Sequence, residues 1–128
     1  MEFNLIIFDM DNDLIERKTN EVEGCNAIAP CKIFYLVFDI NNRYTFQKIN
    51  YWIHAIKRSK DSKKDRGKFL LVFIGNKTDL KICDEDIIED GKNIASENDG
   101  IFLMTSALKN EGVNQLIVES VENYLNLK

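Results

Sequence analysis

Four short, nearly continuous apolar runs alternate along the chain with segments whose apolar residues recur every three or four positions. The runs are Phe3–Phe8, Ile33–Phe38, Phe69–Ile74 and Ile101–Met104. Continuous apolar character is typical of strands that are buried on both faces of a parallel sheet. The pattern therefore predicts about four strands of one parallel sheet.

Three segments have the period of an amphipathic helix, and each follows one of the last three apolar runs. They are Tyr44–Arg58, Asp84–Glu97 and Val113–Leu125. Residues 10–31 are predicted to form one irregular helix and then a loop at Pro30. Because strands alternate with helices, we expect an α/β fold of three layers with three to four helices, in which right-handed crossovers join the strands.

Composition sets the size and class of this fold. The 128 residues are 45% hydrophobic, which is enough for one domain with a buried core, and we treat residues 1–128 as that domain. The net charge of −4 predicts no general attraction to nucleic acid or to anionic membranes. One segment, Lys57–Lys68, is strongly basic. We interpret it as a solvated loop, and the alternative is a patch for acidic partners or lipid headgroups.

The cysteines and the chain ends indicate the compartment. The chain has three cysteines, Cys25, Cys31 and Cys83. Their odd number, and the lack of the spacing of a zinc site, favour reduced thiols in the cytoplasm. The apolar run Leu5–Phe8 is too short for a signal peptide, and no stretch has the length of a membrane span. The chain as given ends at Lys128 without a cysteine that could be prenylated, so we expect no lipid anchor in it.

Two short polar motifs follow the third and fourth predicted strands. Asn76-Lys77-Thr78-Asp79 follows one strand, and Thr105-Ser106-Ala107 follows the other. In a parallel sheet the carboxyl ends of the strands open onto one edge, where ligands bind. The two motifs are therefore expected to lie close together and to form a binding site.

The residue types in these motifs match the hydrogen-bonding pattern of guanine. The carboxylate of Asp79 can accept from the N1–H and the 2-amino group together, as a pair of charge-assisted bonds. Asn76 can donate to the acceptor edge, and the N–H of Ala107 can donate to O6. The aliphatic part of Lys77 can cover one face of the ring, and Ser106 completes the candidate guanine-binding set. Adenine would leave these polar groups unpaired, which is a strong basis for discrimination.

These residues, in this order, resemble the Ras superfamily of small GTPases, nearest to its Rab and Ras branches. Asn76–Asp79 resembles the guanine motif of the family, and Thr105–Ala107 its second base-binding loop. Val37–Asp39 with the following Tyr44–Phe46 resembles the family's fourth strand and third helix. The resemblance covers nearly the whole chain. It implies a Rossmann-like fold and descent from a GTP-operated switch in vesicle traffic or signalling.

The sequence also departs from the family pattern. It contains no G-x-x-x-x-G-K-[ST] phosphate-binding motif and nothing that resembles the first switch. Asp9 falls where the family has a magnesium-contacting aspartate, but Met10–Asp13 replaces the family's phosphate-sensing glycine and catalytic glutamine. Leu108 stands where the second base loop usually has lysine. We therefore expect no catalytic residues, no GTP hydrolysis, weak binding of GTP or GDP, and at best a poor Mg²⁺ site at Asp9.

Several alternatives remain at this point. The chain could be a nucleotide-free pseudo-GTPase that binds proteins, or a fragment of a functional GTPase. A flavodoxin-like or receiver-like domain would also place acidic residues such as Asp9, Asp11 and Asp39 at strand ends.

Partner binding or homodimerisation is expected through an exposed edge strand, because the strand Phe3–Phe8 would pair directly with Ile33–Phe38 and leave its other edge open.

Overall fold

The computed structural model describes residue 28 and residues 30–62, 67–80 and 82–127 of the chain. Within these ranges, strands and helices alternate as β1 (Ile33–Asp39), α1 (Arg43–Ser62), β2 (Leu70–Asn76), α2 (Glu85–Glu97), β3 (Ile101–Met104) and α3 (Val113–Leu125). The three strands form a parallel sheet in the order β1-β2-β3. The predicted α/β fold is confirmed. The predicted strand Phe3–Phe8 and most of the predicted helix at residues 10–31 lie outside the described residues, as do Asp9 and Cys25.

The central strand β2 explains why the apolar runs are continuous. Its residues alternate between two cores: Leu71 and Phe73 pack on the side of α1 and α2, and Leu70, Val72 and Ile74 pack on the side of α3. All five of these side chains are buried. Because β2 has a helix layer on each face, both of its faces must be apolar, as the sequence pattern predicts.

The larger core lies between the sheet and the helices α1 and α2. From α1 it contains Ile49, Ile53 and Ile56, and from α2 it contains Ile87 and Ala95. Gly91 allows α2 to approach the sheet closely. A Cβ atom at this position would lie 2.8 Å from the ring of Phe102 and 3.0 Å from that of Phe38. The glycine is therefore needed for the distance between α2 and the sheet.

Three helix boundaries differ from those predicted, the smallest difference being the start of α1 at Arg43, one residue before Tyr44. Helix α2 begins at Glu85 because Asp84 is its N-cap, and the Asp84 carboxylate accepts hydrogen bonds from the N–H groups of Asp86 and Ile87. Helix α1 extends to Ser62, past the predicted end at Arg58, so the interpretation of Lys57–Lys68 as a loop is wrong for its first six residues.

Lys60 shows why α1 continues into the basic segment. The residue is only 5% exposed, and its ammonium group donates to the carbonyl of Cys31 over 2.7 Å. The same group lies 5.7 Å from the ring centres of both Phe34 and Phe69, within the range of a cation–π contact. A lysine that the sequence pattern assigns to solvent is thus part of the protein interior.

None of the helices in the described part of the chain is both long enough and apolar enough to span a bilayer.

Candidate functional site

The carboxyl ends of the three strands meet at one edge of the sheet, as the sequence predicts. Asp39, the last residue of β1, is the register partner of Asn76, the last residue of β2. The end of β2 and the loop after it are joined to Thr105, the residue after β3, by two backbone hydrogen bonds. The N–H of Thr105 donates to the carbonyl of Gly75 over 2.9 Å, and the N–H of Thr78 donates to the carbonyl of Thr105 over 3.2 Å. The two predicted motifs therefore lie side by side.

Asn76 links the motifs through its side chain. Its Oδ1 atom accepts hydrogen bonds from the Thr105 hydroxyl at 3.1 Å and from the N–H of Ala107 at 3.0 Å. One side chain at the end of β2 thus fixes the backbone of the loop that follows β3. The N–H of Ala107, which we expected to donate to a guanine O6 atom, is engaged with Asn76 in this structure.

Asp79 and Ser106 form the second link. The Ser106 hydroxyl donates to Asp79 Oδ1 over 2.8 Å and accepts from the N–H of Lys109 over 3.2 Å. Ser106 is completely buried. Its backbone forms a reciprocal pair of hydrogen bonds with Glu111, with N–O distances of 3.0 and 2.9 Å. These contacts fix the position of the Asp79 carboxylate relative to the loop that contains Ala107.

The backbone of the second loop closes with two residues in the left-handed region. They are Asn110, with φ of 53°, and Gly112, with φ of 78°. A Cβ atom at Gly112 would also lie 2.8 Å from the carbonyl oxygen of Met104. Glycine is therefore favoured here for both conformation and space.

Lys77 lies between Asn76 and Thr78 and has an unusual backbone conformation. Its φ is +71°, a left-handed value that costs about 1–2 kcal/mol for a residue with a Cβ atom. Its ammonium group lies 2.9 Å from Asp39 Oδ2. The Lys77 side chain therefore reaches across the strand ends, from the loop after β2 to the end of β1.

Asp39 is held firmly in this ion pair. Its Oδ1 accepts from the N–H of Asn41 over 2.8 Å, and its own N–H donates to the Thr45 hydroxyl over 2.9 Å. Burial of the carboxyl group opposes its ionisation, but the Asn41 N–H and the ammonium of Lys77 together outweigh that effect, so the pKa of Asp39 lies below its usual value. Asp39 is thus a carboxylate at neutral pH.

All five predicted base-site residues, Asn76, Lys77, Asp79, Ser106 and Ala107, lie at this one edge. Sequence reasoning placed Asp39 at the same edge but missed its pairing with Lys77. The sequence shows only that Asp39 ends one strand and that Lys77 directly follows the next strand. Asp9, the predicted magnesium contact, lies outside the described residues. In the described ranges, no three His, Cys, Asp or Glu side chains converge in a way that could hold a metal ion.

Two polar groups at this edge have no hydrogen-bond partner among the described residues. They are the side-chain amide nitrogen of Asn76, a donor, and the Oδ2 atom of Asp79, an acceptor. Both residues are partly exposed. The edge therefore offers a ligand one amide donor and one carboxylate acceptor at positions that the surrounding hydrogen bonds fix.

Comparison with known proteins identifies the family of this chain and several of its relatives. The model of the Ras family matches residues 25–126. The chain is 31% identical to Ras-related protein RABA6b of Arabidopsis thaliana over 86 residues, which are 67% of this chain and 35% of the relative. It is 31% identical to Ras-related protein Rab-4 of Dictyostelium discoideum over 84 residues, which are 66% of this chain and 38% of the relative.

A third relative matches along almost the whole chain. The intraflagellar transport protein 27 homologue of Trypanosoma brucei brucei is 26% identical over 121 residues, which are 94% of this chain and 61% of the relative. The chain thus spans less than two thirds of the length of each of these three relatives. The family match decides against the flavodoxin-like and receiver-like alternatives. The chain belongs to the Ras family of small GTPases.

Proposed function

We propose that this chain binds guanine nucleotides through the base, at the edge formed by the ends of β2 and β3. The observation that carries the proposal is the pair of side-chain links, Asn76 to Ala107 and Ser106 to Asp79. Together they fix two loops from different parts of the chain in one arrangement. A preformed site of this kind lowers the conformational entropy that the loops lose when a ligand binds.

The groups without partners have the chemistry of guanine recognition. Asp79 accepts from the N1–H and the 2-amino group of guanine, and the amide of Asn76 donates to its acceptor edge. The N–H of Ala107 is within reach of O6 once it shares or leaves its bond to Asn76. The aliphatic part of Lys77 covers one face of the base. Adenine presents a donor where guanine presents O6, so it would leave these groups unpaired.

We further propose that binding is weak and that GTP is not hydrolysed. Contacts to the base alone correspond to a dissociation constant of about 1 mM, or about 4 kcal/mol. Phosphoryl transfer needs a phosphate cradle, a metal ion and a positioned water, and the 128 residues contain no G-x-x-x-x-G-K-[ST] motif. Asp9 is the contact for Mg²⁺ that the sequence suggests, and a single carboxylate holds this ion poorly without substrate phosphates.

The test is a titration of the purified chain with GDP and with ADP, followed by ¹⁵N chemical shifts. GDP should shift the amides of Ser106 and Ala107 with a millimolar midpoint, and ADP should not. Asp79→Ala should abolish the GDP response, whereas Asp61→Ala, which removes an exposed carboxylate from the end of α1, should not. Equal responses to GDP and ADP would contradict base recognition, and micromolar affinity would contradict weak binding.

A second proposed function is protein binding in intracellular transport. The relative that is matched along 94% of this chain is named as a homologue of an intraflagellar transport protein. In this function the fold acts as a nucleotide-free pseudo-GTPase, and a partner or a second copy binds through an exposed edge strand. Sedimentation of the purified chain, with and without 5 mM GDP (about five times the expected dissociation constant), tests the homodimer. A monomer under both conditions counts against self-association.

A further inference from the structure

We propose that Asp39 sets the ligand preference of the candidate site. By pairing with Lys77 it cancels the positive charge beside the base-reading residues, so that the site binds guanosine about as tightly as GDP. This inference rests on the proposed binding of guanine. It goes further by naming the guanine nucleoside as the part of the ligand that matters and by assigning a role to a residue outside both sequence motifs.

The geometry fixes the Asp39 side of the ion pair. Asp39 is only 15% exposed at its side chain, and Lys77 reaches it from a side chain that is 55% exposed. The Asp39 carboxylate cannot turn away easily, because the N–H of Asn41 holds its other oxygen and the Thr45 hydroxyl holds its backbone. Lys77 is therefore the mobile partner, and its ammonium is drawn toward β1.

The position of Lys77 explains why this ion pair affects which ligand binds. Lys77 directly follows Asn76 and precedes Asp79 by two residues, so its charge would otherwise act on any ligand held by those two side chains. A phosphate group attracts a free ammonium strongly, through charge-assisted hydrogen bonds. With Lys77 paired, Asp39 and Lys77 contribute no net charge, and Asp79 adds a negative one. The phosphates of a nucleotide then gain no net attraction from Lys77.

The aliphatic part of Lys77 has a separate role that the ion pair supports. Its ammonium is anchored 2.9 Å from Asp39, so the methylene groups are held across the strand ends instead of moving freely in solvent. A flat aromatic base binds such an apolar surface without regard to the charge of its sugar-phosphate tail. Asp39 is thus a positioning residue for Lys77 and, through it, for the selection between nucleoside and nucleotide.

The experiment compares guanosine, GMP and GDP in buffer without divalent cations, with the amide shifts of Ser106 and Ala107 as the readout. In the wild-type chain the three dissociation constants should agree within about twofold. In Asp39→Asn, which keeps an acceptor for the Asn41 N–H, Lys77 is released. GDP should then bind about three- to fivefold more tightly than guanosine, the upper range of one charge pair at a partly exposed site.

Two further variants separate release of Lys77 from simple removal of a negative charge. Lys77→Met keeps the apolar stem but leaves the Asp39 carboxylate without its cation, so in this variant GDP should bind no more tightly than guanosine. In the double variant Asp39→Asn with Lys77→Met, the gain for GDP should disappear. Asp90→Asn is the matched control, because it removes the carboxylate of a different ion pair, with Arg43, and should leave the ratio unchanged.

The outcomes distinguish this inference from the proposed function. If no guanine compound binds, the proposed function fails and this inference fails with it. If GDP binds to the wild-type chain at least tenfold more tightly than guanosine, the proposed function stands and the role of Asp39 is overturned. A gain for GDP that persists in the double variant also overturns it. The wild-type comparison decides the question even if Asp39→Asn does not fold.

Discussion

The Ser106 hydroxyl donates to Asp79 Oδ1 across 2.8 Å and so joins two loops that are 27 residues apart in the chain. The hydroxyl is completely buried and also accepts from the N–H of Lys109. A single oxygen atom therefore orients the carboxylate that is proposed to recognise guanine and holds the turn that follows β3. Its removal should affect both the stability of the fold and the affinity of the site.

The first prediction concerns this oxygen. Ser106→Ala should lower the free energy of unfolding by about 1–2 kcal/mol, because it removes two hydrogen bonds and leaves the Lys109 N–H without its acceptor. It should also weaken GDP binding about five- to tenfold, since Asp79 loses its orientation. Urea unfolding and the amide-shift titration measure the two effects.

Ser120→Ala is the matched control for that variant. Ser120 is also completely buried, but its hydroxyl donates within α3, to the carbonyl of Leu116. This substitution should change stability without changing GDP affinity. If the two serine variants weakened GDP binding equally, the link between Ser106 and Asp79 would have no specific role in the site.

The second prediction concerns Asn76. In Asn76→Ala the Thr105 hydroxyl and the Ala107 N–H both lose their acceptor, and an unsatisfied partner typically costs about 1–3 kcal/mol when water cannot replace it. The loop after β3 should loosen, so the Ala107 amide should exchange with solvent faster than in the wild-type chain. Hydrogen exchange measured by NMR tests this directly. Asn93→Ala, at an exposed position of α2, should leave that exchange rate unchanged.

The third prediction is a pH dependence of stability. The pKa of Asp39 is lowered in the folded chain, so its ionised form stabilises the fold at pH values above the unfolded pKa of about 4. That contribution is lost as the pH falls through the lower, folded pKa. The difference in unfolding free energy between the wild-type chain and Asp39→Asn should therefore be largest near neutral pH and should shrink in acid. Urea unfolding at pH 7, 5 and 3 measures it.

Glu97→Gln is the control for that experiment, because it removes one negative charge from an exposed position at the end of α2. Any change in the free energy of unfolding of this variant shows the effect of net charge alone. A constant difference between the wild-type chain and Asp39→Asn from pH 7 to pH 3 would show that the pairing with Lys77 does not stabilise the ionised form of Asp39.

The fourth prediction concerns the start of α2. Asp84→Ala should destabilise the fold by about 1 kcal/mol, because the N–H groups of Asp86 and Ile87 lose the carboxylate that caps them. Asp84→Asn keeps a capping oxygen and should cost much less. Thermal unfolding of the two variants gives the comparison. Equal losses in both would indicate that the negative charge, rather than the cap, stabilises the helix.

The sequence was sufficient to predict the part of the site that depends on local order. Asn76 ends one apolar strand and Ser106 closely follows another, and the common edge of a parallel sheet brings such residues together. The pairing of Lys77 with Asp39 was not predicted. It depends on the register of β1 against β2, which places Asp39 opposite Asn76, and on a left-handed backbone at Lys77, for which neither the residue type nor the hydrophobic pattern gives a signal.

The extent of α1 shows a second limit of pattern reasoning. The apolar period ends near Ile56, and the charged residues that follow indicated a solvated loop. In the structure the helix continues to Ser62, because a lysine can bury its methylene groups and satisfy its ammonium with a carbonyl and two aromatic rings. A hydrophobicity pattern counts lysine as polar and so misses this kind of core residue.

The interior position of Lys60 has a consequence for chemical labelling of this protein. Its amine lies close to the rings of both Phe34 and Phe69 and the residue is almost completely buried, while Lys57, one turn earlier, is exposed. An acylating reagent would therefore modify Lys57 readily and reach Lys60 only when the end of α1 detaches from the sheet. The rate of acylation at the Lys60 amine therefore measures how often the end of α1 detaches from the sheet.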